Sequence, residues 1–287
     1  MSQDLLVTAP QLAELIAEDA ALVFDCRFDL FHPEQGRISW LSAHIPGAVY
    51  ANLDKNLSGR VTSQSGRHPL PFPRSFAVFL ARSGWTPDKR IVAYDAHGGA
   101  FASRLWWLMK YFGLGNTSLL DGGIGAWMAE GLPMESGEVT TRRVSLPELD
   151  PDPSLTFNSQ GVLNSLNENS IVLLDARNED RFEGQVEPID TVAGHVPGAI
   201  NHPMGRNNEN GTFFRGSAEL KAGFRSSLKK TDPETVVHMC GSGVTACQNL
   251  FAMELAGMTG PKLYVGSWSE WIRDPRRPIL QGARAGK

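Results

Sequence analysis

The sequence predicts two α/β domains of one kind, each a mostly parallel sheet flanked by helices on both faces. Two observations carry that expectation. Short apolar runs rich in β-branched residues alternate with segments of helical periodicity along the whole chain. The order of these elements then repeats: Asp25 and Asp175 lie 150 residues apart, His44 and His195 151, Trp127 and Trp271 144. A period of that size is the duplication of a whole domain, and a length of 287 residues suits two of them.

In the first copy, Thr8 to Glu18 reads as a capped helix with Leu12, Leu15 and Ile16 on one face. Leu22-Val23-Phe24 is a short strand that ends at Asp25-Cys26-Arg27, and a long loop carries His44-Ile45-Pro46-Gly47-Ala48. The prolines around His68-Pro69-Leu70-Pro71 make that segment irregular. Ser75 to Ser83 reads as helix, Arg90 to Tyr94 as strand, Phe101 to Phe112 as helix and Ser118 to Leu120 as strand, before a short helix with Trp127. The second copy begins with a helix over Ser159 to Leu166 and a strand over Ile171 to Leu174, then Asp175-Ala176-Arg177 and His195-Val196-Pro197-Gly198-Ala199. Helix Ala218 to Leu228, strand Val236 to Met239, helix Val244 to Ala256, strand Lys262 to Val265 and Gly266-Ser267-Trp268-Ser269-Glu270-Trp271 close it. Prolines and acidic residues between the copies suit an extended linker. The expected division is therefore 1–136, a linker over 137–156, and 157–287.

The duplication separates scaffold from chemistry. Asp25/Arg27 and Asp175/Arg177 occur in both copies, as do the His-x-Pro-Gly-Ala turns and the closing tryptophans; such features are expected to build the fold. One landmark differs. The second copy has Cys240-Gly241-Ser242-Gly243-Val244-Thr245 where the first has Asp95-Ala96-His97-Gly98-Gly99-Ala100. Strand, tight glycine loop and helix point backbone N–H groups into one concavity, where the helix N-terminus adds partial positive charge. Such donors stabilise an anionic sulfur, so Cys240 is expected to be a nucleophile. The competing reading is a buried cysteine after a strand. Asp95 cannot take over thiolate chemistry, so the first copy is expected to be an inactive scaffold walling one side of a cleft. Arg181 has no counterpart in the first copy and is a candidate anion binder, with a solvated surface arginine as the alternative. Cys247 and His238 are read as packed core residues, and Cys26 has no assigned chemistry.

Composition narrows the class. A formal charge of -4 leaves no basic footprint for nucleic acid. No apolar run is long enough to span a bilayer. The first twenty residues lack the pattern of a signal peptide. Three scattered cysteines match neither a disulfide framework nor a zinc site. A cytoplasmic monomer with no metal or organic cofactor is expected. A phosphatase of the Cys-x5-Arg type is disfavoured, because position 246 is Ala246 and no arginine follows before residue 257.

With its two-copy layout, His-Ile-Pro-Gly-Ala turn and Cys-Gly-Ser-Gly-Val-Thr loop, the chain resembles the tandem-rhodanese sulfurtransferases, specifically the 3-mercaptopyruvate branch. The resemblance runs from about Leu5 to about Pro278. It implies that Cys240 takes up a sulfane sulfur as a persulfide and passes it to an acceptor: thioredoxin, a small thiol or cyanide. Ser242 would polarise the donor, Gly241, Gly243, Val244 and Thr245 would complete the loop around it, Arg181 would bind its carboxylate and His44 would line the cleft. Thiosulfate-preferring members carry basic residues where this chain has Gly241 and Ser242, which makes 3-mercaptopyruvate the expected donor. Thiosulfate transfer and a persulfide carrier without turnover are the alternatives. In one respect the chain departs from the branch: Glu187-Pro188 is followed by Ile189 and Asp190 instead of a second clamp arginine, so one arm is expected to be missing.

Overall fold

The computed structural model describes residues 5–282, which divide into two compact units. The first comprises residues 5–59, Pro71–Asp152 and Glu209–Phe214; the second comprises Arg60–Leu70, Pro153–Asn208 and residues 215–282. The chain therefore lends an eleven-residue segment from within its first copy to the second unit and returns a shorter one.

In the first unit, strands β1 (Leu6–Val7), β2 (Ala21–Asp25), β3 (Val49–Tyr50), β4 (Arg90–Tyr94) and β5 (Thr117–Leu120) form a parallel sheet in the order β1-β5-β4-β2-β3. Helices α1 (Ala9–Ala17), α2 (Gln35–Ser42), α3 (Pro73–Arg82), α4 (Ala102–Tyr111) and α5 (Gly123–Ala129) flank it. Thr8 starts α1 with a reciprocal capping box to Gln11, and Pro10 lies in its first turn, where its missing N–H costs nothing. Residues 137–152 form no regular element but are strapped to their unit: Val144 N bonds Ala81 O, Asp150 N bonds Phe112 O and Asp152 N bonds Tyr111 O. Most of the segment expected as a linker is thus bonded to the first unit.

The second unit repeats the plan. Strands β6 (Thr156–Phe157), β7 (Val172–Asp175), β8 (Ile200–Asn201), β11 (Val236–Met239) and β12 (Lys262–Tyr264) lie in the order β6-β12-β11-β7-β8, all parallel. Between β8 and β11 runs a short two-stranded ribbon, β9 (Asn208–Glu209) with β10 (Phe213–Phe214). The helices are α6 (Ser159–Glu168), α7 (Glu179–Phe182), α8 (Ser217–Leu228), α9 (Ala246–Leu255) and α10 (Ser267–Trp271). Identical strand order in the two sheets is the structural form of the sequence repeat.

The duplicated landmarks are fastenings. Arg27 and Arg177 each donate through Nε and Nη2 to the carboxylate two residues before them, and Nη2 also reaches the carbonyl preceding the histidine, Ala43 O and Gly194 O. Both histidines bridge antiparallel to a later segment, His44 with Glu135 and His195 with Leu280. Trp127 and Trp271 bury their rings and donate to Pro133 O and Pro278 O. The second core gathers Leu173, Val237, Met239, Tyr264, Trp268 and Trp271 around β11, and the next residue after that strand is Cys240.

Candidate active site

Strand β11 is buried over its whole length, so where it ends the chain must turn at the carboxyl edge of the sheet, the usual ligand position in such folds. The turn is Cys240–Thr245, after which α9 begins. Gly243 makes it possible. It sits at φ +77, and a side chain there would strike the carbonyl of Val265. Cys240 Sγ then accepts the backbone N–H of Gly243 at 3.1 Å and of Ser242 at 3.5 Å. The carbonyls of Val244 and Thr245 accept Cys247 N and Gln248 N, which completes the turn into the helix.

The loop is pinned from behind by the end of β12 and the start of α10. Ser267 Oγ accepts Cys240 N at 3.1 Å and donates to Tyr264 O. Trp268 N bonds Cys240 O at 3.0 Å, and Ser269 N bonds Gly241 O at 2.9 Å. Cys240 is 1% exposed. A residue fixed by this many backbone bonds has little freedom to reorganise.

Two residues that sequence reasoning passed over complete the site. They come from the 60–70 segment of the second unit. His68 Nδ1 lies 2.7 Å from Ser242 Oγ, both side chains buried. Arg67 donates its backbone N–H to Ser269 Oγ and forms an ion pair with Asp190. A Cβ placed on Gly241 would lie 3.0 Å from Arg67 Nη2 and 3.6 Å from both terminal nitrogens of Arg181. Two guanidiniums therefore face the residue beside the nucleophile. Ile189 supplies no second guanidinium; the one that stands with Arg181 is that of Arg67, more than a hundred residues away in sequence. The signal was available: Arg67-His68 occurs in one copy only, the criterion that singled out Cys240.

Arg181 is placed by charge. Its Nη2 donates to Glu187 Oε1 at 2.7 Å and lies 3.4 Å from Asp190 Oδ2. Glu187 Oε1 also accepts Ile189 N and Asp190 N, so this carboxylate holds the turn that carries Asp190. Burial works against the Glu187 charge, but those bonds and Arg181 outweigh it and hold its carboxyl below the usual value. Arg177 lies over the Trp268 ring at 4.8 Å. Burial opposes its charge too, and Asp175, Glu187 and Cys240 more than compensate.

The other residues singled out in the sequence have partners of their own. His44 is 1% exposed, with Nδ1 at 2.7 Å from Trp40 O and its ring stacked on Trp40. His195 does the same with Phe182. Identical fastenings in both copies account for His44 as a turn anchor within its own unit. Cys247 is buried, its Sγ donating to Gly243 O at 3.4 Å. His238 is buried against Met253 Sδ. In the first unit, Asp95 fills its own loop: Oδ1 accepts His97 N and Gly99 N, and Oδ2 accepts Phe101 N and Ala102 N. Among the described residues no cluster of His, Cys, Asp or Glu could hold a metal ion, and no helix is long and apolar enough to cross a membrane.

A loop of this kind directs fixed backbone N–H groups at one sulfur. Fold and loop together set a buried cysteine at the ligand edge of a parallel sheet. Comparison supplies the family: the rhodanese-like domain matches residues 8–130 and 159–274, and the chain belongs to that family. It is 44% identical over 284 residues to a protein of Pseudomonas aeruginosa named "Probable 3-mercaptopyruvate sulfurtransferase", covering 98% of this chain and 100% of that one. A thiosulfate sulfurtransferase of Rattus norvegicus is 32% identical over 88% of this chain and 86% of its own. The crystal structure of SseA from Escherichia coli, a 3-mercaptopyruvate enzyme, superposes with a TM-score of 0.79 at 32% identity, over 92% of this chain and 99% of that one. The chain is a sulfurtransferase with two rhodanese-like domains.

Proposed function

We propose that this sulfurtransferase takes its sulfur from 3-mercaptopyruvate, holds it as a persulfide on Cys240 and delivers it to a thiol, such as thioredoxin or a small thiol, or to cyanide. The observation that carries the reading is the pair of guanidiniums, Arg67 and Arg181, set against Gly241 beside a loop with no cationic side chain of its own. That arrangement suits a carboxylate attached to a neutral, sulfur-bearing end. Guanidinium and carboxylate pair through parallel charge-assisted bonds that fix orientation as well as affinity.

The reaction follows from the groups in place. The Cys240 thiolate attacks the donor sulfur, and the S–S bond forms as the donor's C–S bond breaks. The electron pair of that bond passes to the methylene carbon as the enolate of pyruvate. The donor's thiol proton ends on that carbon, leaving pyruvate and a persulfide anion, so charge and atoms balance. Ser242 Oγ, hydrogen-bonded to His68, is positioned to carry that proton. The N–H groups of Ser242 and Gly243 hold charge on sulfur before and after transfer. In the second half-reaction the acceptor attacks the outer sulfur and Cys240 leaves as thiolate. A thiolate nucleophile of this kind suits a reducing compartment such as the cytoplasm.

The test is kcat/KM for 3-mercaptopyruvate and for thiosulfate with one acceptor, alongside Cys240→Ser, Cys247→Ser and Cys26→Ser. The expected result is the higher value for 3-mercaptopyruvate, loss of activity in Cys240→Ser alone, and one added sulfur on the Cys240 peptide. A higher value for thiosulfate refutes the donor; sulfur found on Cys26 or Cys247 refutes the nucleophile.

A further inference from the structure

We infer that Asp190 is the charge filter of the donor site: an internal carboxylate, paired with the guanidiniums of Arg67 and Arg181, that leaves the pocket selective for a donor with one negative charge over a donor with two. The inference rests on the donor reading above and names the residue that sets its selectivity.

Three arginines and three carboxylates form an alternating chain beside Cys240: Asp175, Arg177, Glu187, Arg181, Asp190, Arg67. Two of the three acids have clear work in the fold. Asp175 fixes the loop after β7 through Arg177 N and the Arg177 side chain. Glu187 accepts two backbone N–H groups of its own turn. Asp190 differs. Its carboxylate meets only Arg67 and Arg181 among the described residues, and its side chain is 5% exposed. Burial raises its carboxyl above the ordinary value; Arg67 and Arg181 oppose the rise, and Glu187 adds to it. A buried charge that braces no backbone is costly, and its effect falls on the two groups it touches.

Both are the guanidiniums that face Gly241. With Asp190 in place the cluster has as many carboxylates as guanidiniums, three of each, and their formal charges cancel. A mono-anionic carboxylate can then share Arg67 and Arg181 with Asp190 through the remaining N–H positions of the two forks, since each guanidinium has five donors. A dianion meets the same two donors but also faces Asp190 with twice the repulsion. The residue thus subtracts from the affinity of every anion, and subtracts most from the doubly charged one. An extra unit charge held at contact range in a half-buried site is worth about tenfold or more in binding, or about 1.4 kcal/mol per factor of ten.

The experiment is Asp190→Asn, which keeps shape and removes charge, assayed with 3-mercaptopyruvate and thiosulfate at one ionic strength. The expected result is a rise of about tenfold or more in the thiosulfate to 3-mercaptopyruvate ratio of kcat/KM, with Asp190→Glu keeping the wild-type ratio. A ratio within about twofold of wild type, a shift the other way, or the same shift in Asp190→Glu overturns the inference. If Asp190→Asn turns over neither donor, calorimetry with sulfate and with pyruvate replaces the assay. Sulfate must then gain about tenfold over pyruvate relative to wild type, and equal changes overturn the inference. The wild-type ratio itself tests the donor reading, and the change on substitution tests Asp190, so the two can fail separately.

Discussion

Substituting Gly241 by alanine tests where the donor sits. The glycine is not required by backbone conformation, because its φ is not positive, so alanine is tolerated in the loop itself. What the new methyl meets is the end of two side chains: Arg67 Nη2 at 3.0 Å and both Arg181 terminal nitrogens at 3.6 Å. The first distance is tighter than ordinary packing, so Arg67 must retreat by a few tenths of an ångström, and the methyl then occupies space where a donor carboxylate would meet the two forks. Losing one charge-assisted hydrogen bond costs about 1.5–3 kcal/mol, which is about a 10- to 150-fold rise in KM for 3-mercaptopyruvate. A clamp that grips the donor and the transition state alike leaves kcat within a few-fold. Stability should fall by less than in a change that meets backbone, because only the flexible end of Arg67 has to give. The contrast is Gly243→Ala, where φ is +77 and the obstacle is a backbone carbonyl that cannot move aside, so loop and activity are lost together. Steady-state kinetics and thermal melts of both variants decide it. A Gly241→Ala enzyme with an unchanged KM, or one that melts like Gly243→Ala, refutes the placement of the donor over Gly241.

Ser242→Ala should lower kcat for 3-mercaptopyruvate by about 10²-fold with a smaller change in KM, because the proposed mechanism gives the Ser242–His68 pair the donor's proton to carry; rapid-quench measurement of pyruvate release checks it. Stability should fall as pH drops below about 6.5, since burial depresses His202 to about 4 and His238 to about 3. The unfolded chain then binds protons that the folded one refuses, at about 2 kcal/mol per histidine between pH 6.5 and 5. Denaturant titrations at the two pH values check this, and His238→Leu should flatten the slope.

Much of this was legible in the sequence because the fold writes itself in repeated punctuation. Asp-x-Arg after a strand, His-x-Pro-Gly-Ala in the loop and tryptophan at the close are local devices with local partners, and they recur with the same bonds in both units. Cys240 was legible for the opposite reason, as the landmark where the copies part. The helix after it begins at Ala246, two residues later than the apolar pattern suggests, because Gly243 to Thr245 are still turning. Arg67 and His68 were not legible. They lie in a proline-broken segment with no periodicity, inside the first copy by chain position and in the second unit by packing. Periodicity reports which face of an element is buried; it is silent on where an irregular segment comes to rest. Gly66 shows what settles it: a side chain there would collide with the Gly266 carbonyl, so only bare backbone lets this segment lie against the active loop's support.

The two units fill a duplicated nest of backbone N–H groups with different occupants. Both loops gather backbone N–H groups at the end of the central strand, and both are tied to the following short helix, through Ile124 N to Asp95 O and Trp268 N to Cys240 O. The difference is the occupant. Asp95 brings a carboxylate that takes four N–H groups at 2.7 to 3.1 Å and saturates the nest with the protein's own charge. Cys240 brings one atom that takes two, and a sulfur can exchange its substituent where a carboxylate cannot. The loops also differ in length, since α4 starts seven residues after Asp95 and α9 six after Cys240. The extra residue lets the first loop wrap its carboxylate from both oxygens. Asp190 repeats that logic at the catalytic site. In each case a buried carboxylate occupies donors, backbone N–H groups around Asp95 and guanidiniums around Asp190, and the proposed filter requires that the second occupation be partial, so that an anion is selected instead of excluded.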